Sequence, residues 1–342
     1  MHHSPSLVIT SIAGPTPILK ALADSSRHAI YDFILIGDES SPSDFALEGC
    51  DFFDIERQHA LPLEFPKICP VRHYARKNIG YLIAMQRAST MILETDDDTV
   101  AHDGFWEARE QSQMVKTVGD SGWVNVYKYF SDANIWPRGL PLDEVTKPIP
   151  SLAALPLRQT ECPIQQGLVD DDPDVDAVYR MLLELPVQFD SGPDIALTAG
   201  AWCPFNSQNT TWLPAAFPLM YLPAYCSFRM TDIWRSFVAQ RIAWANGWGV
   251  LFRGPTVSQN RNEHDLMQDF RAEVPGYLEN RAICAALEGL ELRAGPQHLA
   301  ANMRLAYRLL VSGGWLDGKE LDLLDAWLYD VESIERSREI EP

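Results

Sequence analysis

Thr90-Met91-Ile92-Leu93-Glu94-Thr95 reads as a short strand that runs directly into Asp96-Asp97-Asp98. This junction constrains the fold more than any other feature. A short, mainly apolar run of this kind is a buried strand. Three adjacent carboxylates repel one another unless a cation or hydrogen-bond donors offset the repulsion. In open α/β sheets, ligands gather at the carboxyl ends of the strands. The preceding residues supply such a sheet. Leu7-Val8-Ile9-Thr10-Ser11-Ile12 is a buried strand, and Ala13-Gly14-Pro15-Thr16-Pro17 turns the chain into a helix over residues 18–25. Tyr31-Asp32-Phe33-Ile34-Leu35-Ile36-Gly37-Asp38 is a second strand, and Cys50-Asp51-Phe52-Phe53-Asp54 a short third. Strand, helix, strand in this order predicts an α/β domain with a parallel sheet.

Further along, apolar spacing at Ile79, Leu82, Ile83 and Met85 predicts a helix over residues 76–88. Residues 131–165, rich in Pro and turn formers, are expected as loops over the site. Acidic residues open a helix expected within 170–185, starting near Val175, which suits the helix dipole. Residues 194–226 read as irregular with short strands, 231–245 as an amphipathic helix, and Gly249-Val250-Leu251-Phe252 as a strand. The segment 255–264 reads as a polar loop, and the chain is mostly helical from about 265. The expected organisation is one domain over residues 1–280 and a helical extension over 281–342.

Charge and cysteine usage narrow the function classes. A net charge of −19, from 28 basic and 47 acidic residues, argues against nucleic acid as the main partner. It also makes a polyanionic acceptor unattractive. It does not exclude a phosphate-bearing small molecule, because a divalent ion and a few local cations can neutralise a diphosphate. The 6 Cys lack paired or zinc-type spacing and read as free thiols in a reducing cytoplasm. No apolar run is long enough to span a membrane, and Met1-His2-His3-Ser4-Pro5-Ser6 does not read as a signal peptide.

Four segments carry candidate chemistry. The hard oxygen ligands of Asp96 and Asp98 suit Mg²⁺ or Mn²⁺, with Asp97 reserved for hydrogen bonding; the competing reading is a solvated acidic turn. Arg72-His73-Tyr74-Ala75-Arg76-Lys77-Asn78 is a basic island. If Lys77 opens the following helix, its ammonium and the helix N-terminus can face a diphosphate. The competing reading pairs this island with Glu64 or Asp54. In Thr231-Asp232-Ile233-Trp234-Arg235, Asp232 is either a helix N-cap or a carboxylate that takes a proton from an acceptor hydroxyl. In Pro255-Thr256-Val257-Ser258-Gln259-Asn260-Arg261-Asn262-Glu263-His264, the His is a candidate late metal ligand or simply solvated.

Taken together, Arg76-Lys77-Asn78-Ile79-Gly80-Tyr81, Glu94-Thr95-Asp96-Asp97-Asp98, Trp136-Pro137-Arg138-Gly139-Leu140-Pro141, Asp172-Pro173-Asp174-Val175-Asp176 and Thr231-Asp232-Ile233-Trp234-Arg235-Ser236 resemble the STELLO-type glycosyltransferases. More distantly they resemble the reversibly glycosylated polypeptides, which include UDP-arabinopyranose mutases. The resemblance covers residues 7–280. It implies a GT-A-like nucleotide-diphospho-sugar transferase fold, α/β with a mixed, mainly parallel sheet flanked by helices.

It also implies a metal-dependent transfer of sugar from a nucleotide-sugar, with UDP expected, to an acceptor that the sequence does not name. By carry-over, Thr10, Ser11 and Asp38 lie near base and ribose. Arg76, Lys77, Asp96 and Asp97 lie near the nucleotide, with Asp96 and Asp98 on Mn²⁺ or Mg²⁺. Arg138 lies near the sugar or phosphates, and Asp232 acts on the acceptor. The family's late metal-binding His falls near Gln259, which leaves two alternatives: His264 substitutes for it, or the metal lacks that ligand. The alternatives are a nucleotide-sugar mutase and a non-catalytic GT-A-like interaction module.

Overall fold

The computed structural model describes residues 4–261 and 265–340. The chain opens with β1 (Ser6–Thr10), α1 (Pro17–Ala29), β2 (Asp32–Ile36) and β3 (Asp51–Phe53). Two short helices follow, α2 (Ile55–His59) and α3 (Phe65–Ile68), then α4 (Lys77–Gln86) and β4 (Ile92–Thr95). β5 (Thr99–Ala101), β6 (Ser112–Val118), β7 (Gly122–Trp123) and β8 (Leu157–Asp171) come next. They are followed by α5 (Ala177–Leu182), β9 (Ile195–Leu197), β10 (Ala201–Trp202), β11 (Asn209–Trp212), α6 (Thr231–Ala245) and β12 (Trp248–Gln259). Three helices close the chain: α7 (Leu266–Glu288), α8 (Leu299–Ser312) and α9 (Glu320–Ile340).

The main sheet is mixed, with strand order β3-β2-β1-β4-β11-β8-β6-β9-β12-β5 and an additional β8–β12 pairing. Its first half, β3-β2-β1-β4, is wholly parallel. Leu7, Val8, Ile9, Phe33, Ile34 and Leu35 are buried, as strands covered on both faces require. β11 runs antiparallel to both β4 and β8, so β4 and β8 point the same way. β12 is parallel to β8. The carboxyl ends of β1, β4, β8 and β12 therefore share one edge of the molecule.

Local rules explain the element ends. The Thr16 hydroxyl caps α1 by accepting from the Leu19 N–H at 3.1 Å, and Pro17 sits at the first turn. In α4, Lys77 through Met85 are all buried, polar residues included. The reason is that α4 lies between the parallel strands and α9, so neither face meets water. Its Gly80 allows this approach. A Cβ there would lie 2.5 Å from Val8 Cγ1 and 3.0 Å from Ile36 Cγ1. Gly80→Ala is therefore expected to destabilise by about 1–2 kcal/mol, overpacking outweighing the gain in helix propensity. Urea unfolding checks this; a variant as stable as wild type would contradict it.

Several sequence expectations are corrected. The expected loops over 131–165 end in β8, which starts at Leu157. Its buried Gln165 and Gln166 disguise a central strand as polar, because their amides bond locally to Cys162 O and Gly167 O. The first part of the expected 255–264 loop belongs to β12, which resumes pairing after a register shift between Arg253 and Val257. The helix expected within 170–185 is only Ala177–Leu182, capped by Asp176, because β8 occupies residues up to Asp171. α6 has the expected bounds but is buried on nearly all sides, polar residues included. α7 runs without interruption across residue 280.

The last helices are tied into the core by buried polar contacts. The Asp330 carboxylate accepts from the backbone N–H groups of Glu64 at 2.9 Å and Phe65 at 2.8 Å. Glu320 accepts from the Tyr225 N–H at 2.7 Å, and Trp327 Nε1 donates to Pro218 O at 3.0 Å.

Candidate functional site

Asp96, Asp97 and Asp98 leave the end of β4 and form one wall of a cleft of about 310 Å³. Thr10 at the end of β1 and Gln259 at the end of β12 line it too. Arg138, Asp174 and Asp232 line the same cleft. The cleft thus opens where the aligned strands end, the place open α/β sheets use for ligands.

Each aspartate has a different partner. Asp96 faces Lys77, whose Nζ lies 3.5 Å from Asp96 Oδ1 and donates to Thr95 O at 2.7 Å. Asp97 accepts a short hydrogen bond from the Ser11 hydroxyl. Asp98 Oδ1 accepts from Gln259 Nε2 at 2.7 Å, and Gln259 Oε1 in turn accepts from Gln208 Nε2. That contact follows from register, since Gln259 pairs with Thr99 across β12 and β5.

The electrostatics are dominated by the burial of adjacent carboxylates. Burial pushes the Asp96 carboxyl up to about 7; Lys77 opposes the rise, and the charges of Asp98, Asp97 and Asp232 reinforce it. Its side chain remains 36% exposed to the cleft, so water moderates the effect. Asp97 is also raised by burial, against the Ser11 hydrogen bond. An acid whose folded pKa exceeds its unfolded value holds more protons folded than unfolded, so its contribution opposes folding as pH rises. For Asp96 the window runs from its ordinary 3.8 to about 7. Without added cation, wild type should lose stability relative to Asp96→Asn across that window. Parallel stability–pH curves from urea unfolding would contradict this.

Arg138, Asp174 and Asp232 form a buried ion network. Arg138 donates from Nε and Nη2 to the two oxygens of Asp174, each at 2.8 Å. The same Nη2 reaches Asp232 Oδ2 at 3.0 Å, and Nη1 donates to Arg229 O. Burial would raise the Asp174 carboxyl, but the Arg138 guanidinium outweighs it and holds the group down at about 2. Gly139 sets the turn, with φ +91°, and a Cβ there would meet Ile233 Cγ2 at 2.6 Å.

Asp232 is not an N-cap. The capping position is Met230, and Asp232 sits in the first turn of α6. Its carboxylate receives Arg138 and the Ser207 N–H, the latter at 3.3 Å. One turn later, Arg235 forms a bidentate pair with Glu94 on β4, at 2.8 and 3.0 Å. Tyr81 and Trp212 also donate to Glu94. This buried pair joins the helix that carries Asp232 to the strand that leads to Asp96.

The other expected residues divide. Thr10, Ser11 and Asp38 line an adjoining hollow of about 580 Å³ that shares Asp97 with the cleft. Asp38 directs its carboxylate to the backbone N–H groups of Arg72, at 2.8 Å, and His73, at 3.0 Å. Arg76 borders the same hollow, but its guanidinium is buried against Gln58 and the Cys69 carbonyl. The cations of the basic island meet Glu39, Gln58 and Asp96 rather than Glu64 or Asp54. His264 lies outside the described residues. Among the described residues, no three His, Cys, Asp or Glu side chains are placed to hold a metal by themselves.

Sequence reasoning missed Ser207, Gln208 and three further cleft arginines, Arg180, Arg229 and Arg261. Asp174 was visible only as part of the Asp-Pro-Asp motif, without a role. These residues come from separate segments, and no local spacing signals that they meet.

The chain can now be set beside known proteins. The family model described as STELLO glycosyltransferases matches residues 229–337. The match continues past residue 280, where the resemblance read from the sequence ends, through α8 and most of α9. The Arabidopsis thaliana protein described as probable glycosyltransferase STELLO2 is 29% identical over 270 residues, 73% of this chain and 35% of that protein. STELLO1 of the same plant is 29% identical over 274 residues, covering 73% and 34%. The chain spans about a third of the length of these relatives. Among solved structures, glucosyl-3-phosphoglycerate synthase from Mycobacterium tuberculosis with phosphoglyceric acid is a distant likeness. It has 12% identity and a TM-score of 0.40, covering 82% of this chain and 80% of that one. The same synthase with Mn²⁺, UDP-glucose and phosphoglyceric acid has 13% identity and the same TM-score of 0.40, covering 82% and 80%. The resemblance read from the motifs therefore holds: this chain carries a STELLO glycosyltransferase family match in its last third and is similar to STELLO1 and STELLO2 over most of its length.

Proposed function

We propose that the chain is a glycosyltransferase domain that takes a sugar from a nucleotide-sugar, with UDP the expected nucleotide, and passes it to an acceptor hydroxyl. The observation that carries this reading is one cleft at the ends of four aligned strands. Asp96 and Asp98 and the Arg138–Asp232 pair all line it. The glycosyltransferase descriptions of both Arabidopsis relatives support it.

Mn²⁺ or Mg²⁺ fits the aspartate wall on chemical grounds. Asp96 and Asp98 are hard oxygen donors, and the Asp96 and Asp97 carboxyls are raised chiefly by burial, with neighbouring carboxylates adding to the rise. Two carboxylates completed by substrate phosphates is an ordinary way to hold Mg²⁺, which matches a set of fewer than three protein ligands. Such an ion supplies Lewis-acid stabilisation of the departing diphosphate.

The chain's own residues do the rest. Lys77 holds the Asp96 loop by its bond to Thr95 O. Thr10, Ser11 and Asp38 border the hollow proposed for base and ribose. Gln259 fixes Asp98 at its Oδ1. Arg138 acts as a positioning residue, because its donors already serve Asp174 and Asp232. Asp232 meets the acceptor hydroxyl and orients or deprotonates it.

A thermal-shift screen of nucleotide-sugars with and without Mn²⁺ tests this. Binding raises the melting temperature by mass action, so one donor should stabilise the protein only when the metal is present. No shift with any donor, or an equal shift in Asp96→Asn, would sink the donor site.

A further inference from the structure

A second hollow, of about 500 Å³, opens at the other end of the sheet. β12 runs between the two sites: its first residue, Trp248, lines this hollow, and its last, Gln259, lines the cleft. At about 3.3 Å per residue these ends lie roughly 35 Å apart along the strand, so no single small ligand occupies both. The volume is ordinary for a small-ligand site.

Two tryptophans from consecutive elements line this hollow, Trp244 in the last turn of α6 and Trp248 at the start of β12. Gly247, at φ +70°, makes the turn between them, and a register shift in the β8–β12 pairing follows Trp248. Irregularities of that kind re-aim side chains. Both tryptophans are only partly buried. Trp244 packs on Trp202 with ring centroids 4.2 Å apart. Trp202 in turn packs edge-on to Phe237 and donates from Nε1 to Glu288 at 2.6 Å. An indole held in place before a ligand arrives loses little freedom on binding.

The same lining carries Asp120 and Arg158, both exposed. Unlike the cleft arginines, these two side chains have no ion-pair or hydrogen-bond partner among the described residues. Asp120 is placed by its backbone. Its φ is +50°, and its N–H donates to Ala199 O at 2.9 Å. A non-glycine residue in this conformation costs energy, and such residues cluster at ligand sites.

This mixture defines a class of ligand. A pyranose can lay its apolar C–H face on the electron-rich face of an indole. Its hydroxyls both donate and accept, whereas a carboxylate only accepts and a guanidinium only donates, so Asp120 and Arg158 together suit hydroxyls. A phosphate would pair with Arg158 but be repelled by Asp120. We propose that this hollow is a non-catalytic binding site for a pyranose unit of a neutral glycan, with Trp244 and Trp248 as the stacking surface and Asp120 and Arg158 as the hydroxyl partners. The proposal does not rest on the donor reading above.

Calorimetric titration of the full chain with the neutral oligosaccharides maltohexaose, cellohexaose, mannohexaose and xylohexaose tests it. At least one should bind, and Arg158→Ala combined with Asp120→Asn should weaken it at least about tenfold, through the loss of hydrogen bonds to charged groups. Both side chains are exposed and unpartnered, and asparagine tolerates the left-handed backbone, so this variant should melt with wild type. Trp248→Ala should also weaken binding at least about tenfold. Binding of none of the four, or equal binding by wild type and the Asp120 and Arg158 variant, would overturn the proposal. Competition between inorganic phosphate and the sugar would overturn it in favour of an anion site. If an oligosaccharide binds through Arg158 while no nucleotide binds, the donor reading fails and this site stands.

Discussion

Asp96→Asn is expected to lower sugar transfer by roughly two to three orders of magnitude while the protein stays folded. The carboxylate lies where charge would gather on a departing diphosphate, and a held cation there contributes several kcal/mol, about 1.4 kcal/mol per tenfold in rate. Asparagine keeps the shape and removes the charge. Stability should not fall with it, because the wild-type carboxylate is itself disfavoured by burial and by Asp97 and Asp98. The combination of lost turnover with equal or greater stability above neutral pH separates a ligand site from an acidic turn. Turnover within about twofold of wild type would remove Asp96 from the chemistry.

Arg235→Met has the largest expected effect on folding. It removes the bidentate partner of Glu94 and leaves a wholly buried carboxylate with, among the described residues, Tyr81 and Trp212 as its side-chain donors. Breaking one side of a buried pair typically costs about 3–5 kcal/mol, because the remaining charge is uncompensated. Glu94→Gln with Arg235→Met should recover part of that loss, since the double variant leaves no buried charge. Urea unfolding of both variants measures it. A single variant within about 1 kcal/mol of wild type would mean that the pair does not join α6 to β4 as described.

The contrast between these residues shows what was legible in the sequence. The parallel half of the sheet, the helix α4 within the expected 76–88 and the bounds of α6 followed from apolar runs and helix periodicity, which are local signals. The Asp cluster was legible because it follows a buried strand. Arg138 and Asp232 were singled out by motif, but not their contact, which joins positions 94 residues apart. β8 was missed because Gln165 and Gln166 make a central strand polar, and their side-chain N–H groups also reach distant carbonyls, Gln165 to Glu110 O and Gln166 to Asn209 O, which only the folded sheet provides. The cleft arginines were invisible for a related reason. Arg180, Arg229 and Arg261 are unremarkable alone, and net charge points away from them. The C-terminal helices looked like an appendage because their anchors, Glu320, Trp327 and Asp330, bind backbone groups far away in the chain.

The most direct measurement is anomalous diffraction at the manganese edge from crystals grown with Mn²⁺ and UDP. The account predicts a manganese peak at the end of β4, bonded to a carboxylate oxygen of Asp96 or Asp98 and to the diphosphate, and absent in Asp96→Asn grown the same way. A diphosphate bound away from these residues, or a metal peak elsewhere in the cleft with the aspartates unligated, would contradict it.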